Sequence, residues 1–160
     1  MAVYGERVRE AVHALKFGGK TALARPLGDL MAEAGSAILP LDAVDCLAPV
    51  PLHPSREAER GFNQSALLAN RVGRRWGVSV ESRALRRQRP TLPQTDLDAE
   101  GRRANVRGAF TLSRPSAVDG RHVLLIDDVF TTGATVAECA RVLLEAGAGA
   151  VGVLTLARVP

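Results

Sequence analysis

One segment near the C-terminus, Val123–Thr135, constrains this chain more than any other feature. It reads Val-Leu-Leu-Ile-Asp-Asp-Val-Phe-Thr-Thr-Gly-Ala-Thr. Its four leading apolar residues predict a buried strand that ends at Asp127 and Asp128. The amphipathic stretch Thr135–Ala146 then predicts a helix. Because ligands of open α/β sheets bind where the strands end, this order predicts both an α/β sheet and a ligand site at its edge.

The rest of the chain alternates between helical and strand patterns. Further helices are predicted at Tyr4–Leu15, after Thr21, and at about Asn63–Trp76. Short apolar runs predict the strands Val44–Val50, Val78–Val80, Ala84–Arg86, Gly108–Leu112, Val123–Ile126 and Ala150–Leu156. We interpret Pro51–Gly61 and Arg87–Arg107 as loops. This alternation predicts an α/β fold, with a mostly parallel central sheet flanked by helices.

Length and composition indicate one cytoplasmic domain. A chain of 160 residues with 46% hydrophobic content fits a single domain over 1–160, with N-terminal helices in 1–40 and a core in 41–160. No apolar run reaches the roughly 18–20 residues that cross a bilayer, and the N-terminus lacks a signal pattern. Cys46 and Cys139 each lie in an apolar segment. We interpret them as small buried hydrophobes, not as a disulfide or metal ligands.

Positive charge is concentrated in one stretch. Arg71–Arg107 contains ten arginines and four acids, although the whole chain has a net charge of only +4. Such a local excess predicts an anion site or a docking face. Aromatic residues make up only 4% of the chain, which leaves little for nucleic-acid bases to stack on. Composition therefore favours a small phosphorylated ligand over a nucleic acid.

The Val123–Thr135 segment combines partners for a sugar with partners for a phosphate. Asp127 and Asp128 can bind sugar hydroxyls or Mg²⁺, and such neighbours relieve the electrostatic cost of two adjacent acids. Backbone N–H groups at the start of the following helix, together with threonine hydroxyls, form a phosphate cradle. We assign that cradle to Thr131, Thr132, Gly133, Ala134 and Thr135. The predicted ligand is a sugar phosphate.

Three other interpretations compete with a ligand site. A lone Asp pair more often merely ends a strand, but the complete segment favours a ligand site. An ATPase would need a P-loop, and Gly18–Thr21 lacks one because Ala14 stands where a glycine is required. A receiver domain carries its acidic pair near the domain start and a further Asp downstream, and no Asp follows Asp128. We therefore exclude an ATPase and a receiver domain.

The same segment resembles the phosphoribosyl pyrophosphate signature of type I phosphoribosyltransferases. In that family the two acids bind the ribose 2′- and 3′-hydroxyls, and the loop binds the 5′-phosphate. Further stretches resemble the competence-related ComF/GntX family: Tyr4–Gly19, Ala48–Gln64, Arg86–Gln94, Arg103–Asn105 and Gly108–Phe110. The resemblance covers nearly the whole chain. It implies a type I phosphoribosyltransferase (Rossmann-like) fold with a mobile loop at 87–107.

The stretch after the first core strand suits a pyrophosphate group. Arg56 and Arg60 can present guanidinium groups to phosphate oxygens, and Gly61 lets the backbone approach closely. A helix that begins near Asn63 points its N-terminus at the anion. His53 is either a further donor or a packed loop histidine.

Within the mobile loop, Arg87 and Arg89 are assigned to catalysis together with Asp127 and Asp128. During phosphoribosyl transfer, C1′ becomes oxocarbenium-like while the departing pyrophosphate gains negative charge. A basic lid neutralises that charge and excludes water. The alternative is a disordered basic linker.

Two departures from the family pattern narrow the expected chemistry. Thr131 stands where the purine-salvage enzymes have an Asp thought to handle the proton of the base, which disfavours oxopurine salvage. Many ComF-type proteins begin with a zinc-binding cysteine cluster, whereas no Cys precedes Cys46 here. We therefore expect no zinc, and we expect Mg²⁺ to be carried by the ligand, in contact with Asp127 and Asp128.

The expected function is transfer of phosphoribose from Mg²⁺-phosphoribosyl pyrophosphate to an unidentified acceptor. One alternative is a non-catalytic phosphoribosyl pyrophosphate-binding module, or a competence and DNA-uptake accessory protein whose arginine-rich stretch docks a partner. Direct binding of single-stranded DNA through Arg71–Arg107 is weaker, because stacking aromatics are scarce. Competence proteins and a second copy of the chain, in a homodimer, are left open as partners, and no membrane is expected.

Overall fold

The structure is a computed structural model that describes residues 2–3, 6–91 and 98–158. The strands in these ranges are β1 (Ala2–Val3), β2 (Cys46–Pro49), β3 (Ser79–Val80), β4 (Leu85–Arg87), β5 (Phe110–Leu112), β6 (His122–Phe130) and β7 (Ala150–Arg158). The α-helices are α1 (Glu6–Phe17), α2 (Ala24–Ser36), α3 (Pro54–Arg60), α4 (Gln64–Trp76), α5 (Ala99–Val106) and α6 (Ala134–Glu145).

The central sheet is parallel and has β6 in the middle. Its five described strands follow the order β1-β7-β6-β2-β3, and each described pairing within it is parallel. β4 and β5 form a separate antiparallel ribbon. The predicted α/β fold with a mostly parallel central sheet flanked by helices is therefore confirmed.

Side chains along the strands alternate between two covered faces of the sheet. Ala48 and Leu125 lie in a core shared with α6, whereas Leu47, Leu124 and Ile126 lie in a second core shared with α1, α2 and α4. Because both faces are buried, the strands read as continuous apolar runs in the sequence. Cys46 and Cys139 are buried free thiols in the first core, as predicted.

The strand that carries the acids is longer than predicted. We predicted Val123–Ile126, whereas β6 continues to Phe130 through its pairing with β7. The neighbouring β2 stops at Pro49, which is paired with Ile126. Asp127 and Asp128 therefore project past the end of β2 on a paired strand. The apolar run could not show this, because backbone hydrogen bonds to β7 carry the extension.

The prediction of a loop over Pro51–Gly61 is wrong, because it contains α3. Pro54 begins this helix, where its missing N–H costs nothing. The His53 side chain caps it by accepting a hydrogen bond from the Ser55 amide, and Gly61 ends it with a left-handed φ of 82°. These are ordinary helix boundaries, but the exposed polar sequence between them has no apolar face to reveal the helix.

The prediction of one long loop over Arg87–Arg107 is also wrong, because α5 occupies its second half. Asp98 caps α5 by accepting a hydrogen bond from the Gly101 amide at 2.7 Å. Val106, near the other end, is buried. One cap and one buried anchor fix the helix without a periodic apolar pattern. Residues 92–97 lie outside the described residues, so the mobility of this segment stays a prediction.

Smaller boundary differences occur elsewhere. A short 3₁₀ turn, Thr21–Leu23, precedes α2, which begins at Ala24 and not directly after Thr21. β5 begins at Phe110, two residues later than predicted. In the part of the chain that the structure describes, no helix combines the length and apolarity that a membrane span requires.

Asn63 connects the end of β2 to the start of α4. Its side-chain oxygen accepts hydrogen bonds from the Ser65 and Ala66 amides, and its side-chain nitrogen donates to the Val50 carbonyl at 3.1 Å. The side chain is buried, so water could not take over its hydrogen bonds if it were removed. This one residue caps the helix and sets its position against the sheet.

We expect Asn63→Ala to lower the free energy of unfolding by about 2–3 kcal/mol, since a helix cap and a buried hydrogen bond are both lost. Asn70→Ala is the matched control, because Asn70 is exposed on the same helix. The control should stay within about 0.5 kcal/mol of the native protein. Urea denaturation measures both, and equal losses would show that Asn63 has no special structural role.

Candidate functional site

A cleft of about 640 Å³ opens above the carboxyl end of β2. It is bounded by α1, by the segment from Val50 through α3, by the end of β4, and by the turn from β6 into α6. Six basic residues are among its described lining, namely Arg9, Lys16, Arg56, Arg60, Arg87 and Arg102. The acids of the described lining are Asp127 and Asp128. The lining is therefore strongly cationic around one acidic pair, which suits an anionic ligand.

The acidic pair is held by contacts from three separate parts of the chain. Ser65 Oγ donates to Asp127 Oδ1 at 2.9 Å, and the Asp128 amide donates to the same oxygen at 2.9 Å. Asp128 Oδ1 accepts from the Val129 amide at 2.8 Å. Asp128 Oδ2 lies 2.7 Å from Lys16 Nζ. It accepts no well-directed hydrogen bond from the described residues.

Burial and charge repulsion change the protonation of Asp127. The pKa of its carboxyl is raised from 3.8 to about 7, first by burial and then by the negative charge of Asp128. Lys16 and the hydrogen bond from Ser65 act in the opposite direction. A carboxyl that lines a cleft and has a pKa near neutrality is typical of a functional site.

Lys16 was missed by the sequence analysis. It lies in the last turn of α1, far from Asp128 in the chain, and only the packing of α1 over the sheet brings the two together. A signal was present in the sequence, because Arg9, His13 and Lys16 follow one another at helical spacing and form a polar stripe on one face. All three line the cleft.

The predicted phosphate cradle lies beside the acids. Thr131, Gly133, Ala134 and Thr135 line the cleft at the start of α6. Thr132 is not part of the described lining, and its hydroxyl instead accepts a long hydrogen bond of 3.5 Å from the Ala134 amide. The N-terminal amides of α6 are thus presented to the cleft, as an anion site requires.

Gly133 is required by the geometry of this turn. Its φ of 75° is left-handed, and a Cβ there would lie 2.6 Å from the Phe130 ring. A side chain would therefore both strain the backbone and displace the ring. Glycine lets the chain turn from β6 into α6 with the loop backbone close to the cleft.

Three of the four predicted pyrophosphate residues reach the cleft. His53, Arg56 and Arg60 are part of its lining. Arg60 donates to Gln64 Oε1 at 2.5 Å, and its guanidinium carbon lies 5.3 Å from the centroid of the Phe17 ring. Burial lowers the pKa of Arg60, because few water molecules solvate its charge. Gly61 is not in the described lining, since its left-handed φ ends α3 instead.

The two loop arginines differ in position. Arg87 lines the cleft, with its guanidinium over the Phe110 ring and one nitrogen donating to Thr91 Oγ1. Its Nε is buried without a hydrogen-bond partner among the described residues, and burial lowers the pKa of the group. Arg89 is not brought to the cleft.

Arg89 instead donates to the carbonyls of Asn105 and Arg107, at 2.9 and 3.0 Å. It thereby ties the start of the 87–107 segment to its end. Arg102, on α5, lines the cleft in its place and was missed. Because the polar sequence of α5 lacks an apolar period, the arginine that faces the cleft could not be identified from the sequence.

The chemistry of the donor set fits Mg²⁺ that is shared with a ligand. Two adjacent carboxylates are hard oxygen ligands, and Asp128 Oδ2 is buried without a hydrogen-bond partner among the described residues. Among the described residues, however, no group of three or more His, Cys, Asp or Glu side chains is placed to hold a metal. Asp127 and Asp128 would therefore hold the ion together with phosphate oxygens of the ligand.

Comparison with known proteins identifies the family. The phosphoribosyl transferase domain profile matches residues 59–160. This chain belongs to the phosphoribosyltransferase family. The matched region contains the acid pair, the turn into α6 and both arginines of the predicted lid.

Curated relatives place the chain in the competence-related ComF branch of that family. The DNA utilization protein YhgH of Escherichia coli K12 is 38% identical over 161 residues, which cover 99% of this chain and 70% of the relative. Competence protein F of Haemophilus influenzae is 35% identical over 115 residues, 71% of this chain and 50% of that protein. Competence protein ComFC of Bacillus subtilis is 31% identical over 163 residues, 97% of this chain and 61% of that protein. The predicted resemblance to ComF/GntX proteins is confirmed.

Solved structures support the predicted fold. The allosteric regulatory enzyme of purine biosynthesis aligns with a TM-score of 0.56 and 20% identity over 84% of this chain. Glutamine phosphoribosylpyrophosphate amidotransferase from B. subtilis aligns with a TM-score of 0.56 and 23% identity over 83% of this chain. This chain spans only 26% of the length of each. At these identities the likeness confirms the phosphoribosyltransferase fold alone.

We expect Asp127→Asn to stabilise the protein in a pH-dependent way. The pKa of Asp127 is about 7 in the folded protein, against an ordinary value of 3.8. Between these two pH values the folded state therefore binds more protons than the unfolded state. The contribution of Asp127 to stability is therefore full below 3.8 and is lost as the pH rises through about 7. An amide is neutral at every pH and can still accept the hydrogen bond from Ser65.

Thermal unfolding should consequently show a Tm that is roughly 3 °C or more higher for Asp127→Asn at about pH 8, with a much smaller gain near pH 4.5. Asp42→Asn provides the control, because Asp42 is exposed and outside the cleft. A gain that does not depend on pH would mean that the charge of Asp127 is not the cause.

Proposed function

We propose that this protein binds Mg²⁺-phosphoribosyl pyrophosphate in the cleft and transfers the phosphoribosyl group to an acceptor. The observation that supports the proposal is that the acid pair, the start of α6 and several arginines line one cleft. On one side the turn Thr131–Thr135 presents the amides of α6, and on the other lie Arg56, Arg60 and Arg87. A ribose that carries phosphate groups at both ends and hydroxyls between them matches this order of groups in the cleft.

Each part of the ligand has a matching set of groups. The 5′-phosphate is assigned to the N-terminus of α6, where backbone amides and the helix dipole favour an anion. The ribose 2′- and 3′-hydroxyls are assigned to Asp127 and Asp128, which are acceptors when ionised. The pyrophosphate is assigned to the guanidinium groups of Arg56 and Arg60, with His53 as a further donor.

The ion pair of Lys16 with Asp128 has a direct consequence for ligand binding. The carboxylate oxygen that a ribose hydroxyl or Mg²⁺ would contact is 2.7 Å from the ammonium group. Binding therefore replaces or shares this contact, while Lys16 keeps the local charge balanced when the ligand is absent. When bound with the ligand, Mg²⁺ supplies positive charge to the pyrophosphate and so makes it a better leaving group.

In the transfer step, a lone pair of the acceptor forms a bond to C1′ while the bond from C1′ to the pyrophosphate oxygen breaks. The electron pair of the broken bond leaves with the pyrophosphate, and a proton on the attacking atom passes to water. Arg87 is half-buried at the cleft, and its buried Nε has no hydrogen-bond partner among the described residues, so it is placed to meet the charge that grows on the leaving group. Arg89 would join it only after giving up its two carbonyl partners.

A second candidate is a non-catalytic role in DNA uptake, and the printed names of the relatives, DNA utilization protein and competence protein, favour it. The arginine-rich stretch Arg71–Arg107 offers less support. Arg71 is paired with Asp29, Arg87 and Arg102 face the cleft, and Arg89 binds carbonyls. These four arginines are directed to different parts of the fold and do not share one partner. We therefore assign the cleft to a small ligand.

Calorimetric titration tests the proposal directly. Phosphoribosyl pyrophosphate with Mg²⁺ should bind the native protein saturably. Asp127→Asn combined with Asp128→Asn should weaken binding by at least about tenfold, because each hydrogen bond to a charged group contributes about 1.5–3 kcal/mol. Asp42→Asn should bind like the native protein. Native affinity in the folded double variant would remove the acid pair from the site.

The pyrophosphate assignment makes a separate prediction. Arg87→Ala should weaken binding of phosphoribosyl pyrophosphate and of pyrophosphate by roughly tenfold, and should leave binding of ribose 5-phosphate unchanged. Arg86→Ala is the matched control, since Arg86 is the adjacent residue of β4 and is exposed outside the cleft. If ribose 5-phosphate were the ligand that lost affinity, the two phosphate sites would have to be exchanged.

A further inference from the structure

The wall of the cleft formed by α1 has no role in the ligand assignment above, apart from Lys16. Arg9, His13 and Phe17 line the cleft from one face of this helix. They lie outside the Val123–Thr135 segment and outside the arginine-containing segment 51–61. A transferase needs a place for its second substrate, and this wall is a part of the cleft to which no group of the ligand has been assigned.

The wall is preformed. Val12 and Leu15 are almost fully buried in the core beneath α1, at 2% and 0% exposure, so the helix cannot rotate away without losing that core. The helix stops directly after Phe17. A Cβ at Gly18 would lie 2.8 Å from the Ala14 carbonyl oxygen, so the chain makes a turn there that only glycine fits. Phe17 is thereby fixed at the helix end.

Phe17 offers a flat apolar surface to the cleft. Its side chain is 65% exposed, although it belongs to a helix whose other large apolar side chains are packed. The Arg60 guanidinium lies 5.3 Å from its ring centroid, and the His13 ring lies 4.9 Å away at an interplanar angle of 45°. A planar ligand ring can stack in this group of planar side chains, since aromatic and guanidinium faces attract one another.

The charge on this wall favours an anion. Arg9 and His13 share the face of α1 with Phe17, and Arg102 adds a guanidinium from α5. The acids of the described lining are Asp127 and Asp128, which are engaged by Ser65 and Lys16. An acidic group on the acceptor could pair with Arg9 and His13 at hydrogen-bond range, whereas a neutral acceptor lacks a charge to offer them.

We infer that the α1 wall is the acceptor subsite and that the acceptor is a small planar heteroaromatic acid. Its ring stacks on Phe17 beside Arg60, and its carboxylate or phosphate pairs with Arg9 and His13. This inference rests on the proposed function. In the transfer step the lone pair of a ring nitrogen bonds to C1′, the pyrophosphate leaves with the electron pair of the broken bond, and any proton on that nitrogen passes to water.

Matched pairs of probes test the inference. Nicotinate with nicotinamide, and orotate with uracil, differ mainly in the acidic group, and their binding is measured with and without Mg²⁺-phosphoribosyl pyrophosphate. In each pair the acid should bind at least about tenfold more tightly, as one charge-assisted contact implies. Arg9→Gln should abolish that preference without changing the affinity for the neutral partner. Phe17→Ala should weaken both members of each pair.

Controls separate this inference from the proposed function. Arg7 lies on the same helix but outside the cleft lining, so Arg7→Gln should behave like the native protein. The affinity for Mg²⁺-phosphoribosyl pyrophosphate should be the same in Arg9→Gln as in the native chain. Equal binding of acids and neutral partners by a protein that binds Mg²⁺-phosphoribosyl pyrophosphate would overturn the inference and leave the proposed function standing. Acid binding without any binding of phosphoribosyl pyrophosphate would overturn the acceptor role and the proposed function together.

One further arm uses a single-stranded oligonucleotide as the probe. Binding tighter than that of any small acid, lost in both Arg9→Gln and Phe17→Ala, would assign the wall to a nucleic acid and overturn the inference. Weak oligonucleotide binding that is unaffected by these two substitutions supports it, because the wall then discriminates in favour of a small ring.

Discussion

The site depends on keeping two adjacent carboxylates in β6 just past the end of β2, with Asp128 buried and Asp127 half-buried. Asp128 is 3% exposed, and Asp127 is held beside it by the backbone of the same strand. Such a pair is costly unless cations and donors surround it. The fold supplies them from different layers, with Lys16 from α1 and Ser65 from the start of α4. The position of α1 over the sheet and the Asn63 cap that fixes Ser65 therefore both serve the acid pair.

The remaining cost of the pair is visible as a raised pKa at Asp127, and it gives the cleft its character. A site with an acid pair at its centre and basic residues around it matches the ligand proposed above, which has hydroxyls in the middle and phosphates at its ends. The same arrangement explains why so many arginines can line one cleft. The two acids reduce the repulsion between these arginines, and a bound anionic ligand would offset the rest.

The segment 87–107 is tied to the rest of the fold at its base more firmly than its composition indicates. The Gly108 amide donates to Glu138 Oε1 of α6 at 2.7 Å, and Arg141 holds that carboxylate in place. Arg89 joins the two ends of the segment through the Asn105 and Arg107 carbonyls. Motion that closes this segment over a ligand would therefore hinge outside these contacts, and it would carry Arg102 on α5 with it.

The sequence by itself determined the parts of this protein that are encoded locally. The apolar run, the acid pair and the turn Thr131–Thr135 are contiguous, so their order predicted a strand, a helix and a turn between them that lines the cleft beside the acids. The Asn63 cap and the buried face of α4 are likewise local patterns. The α3 and α5 helices were missed because their sequences are polar, and only caps and single anchors define them. Tertiary structure alone decided that Lys16 meets Asp128, that Arg102 and not Arg89 faces the cleft, and that α1 forms a wall of the site. These outcomes depend on which faces of separate elements pack together, and the burial of Val12 and Leu15 against the sheet, not any motif, sets the direction in which Arg9, His13 and Phe17 point.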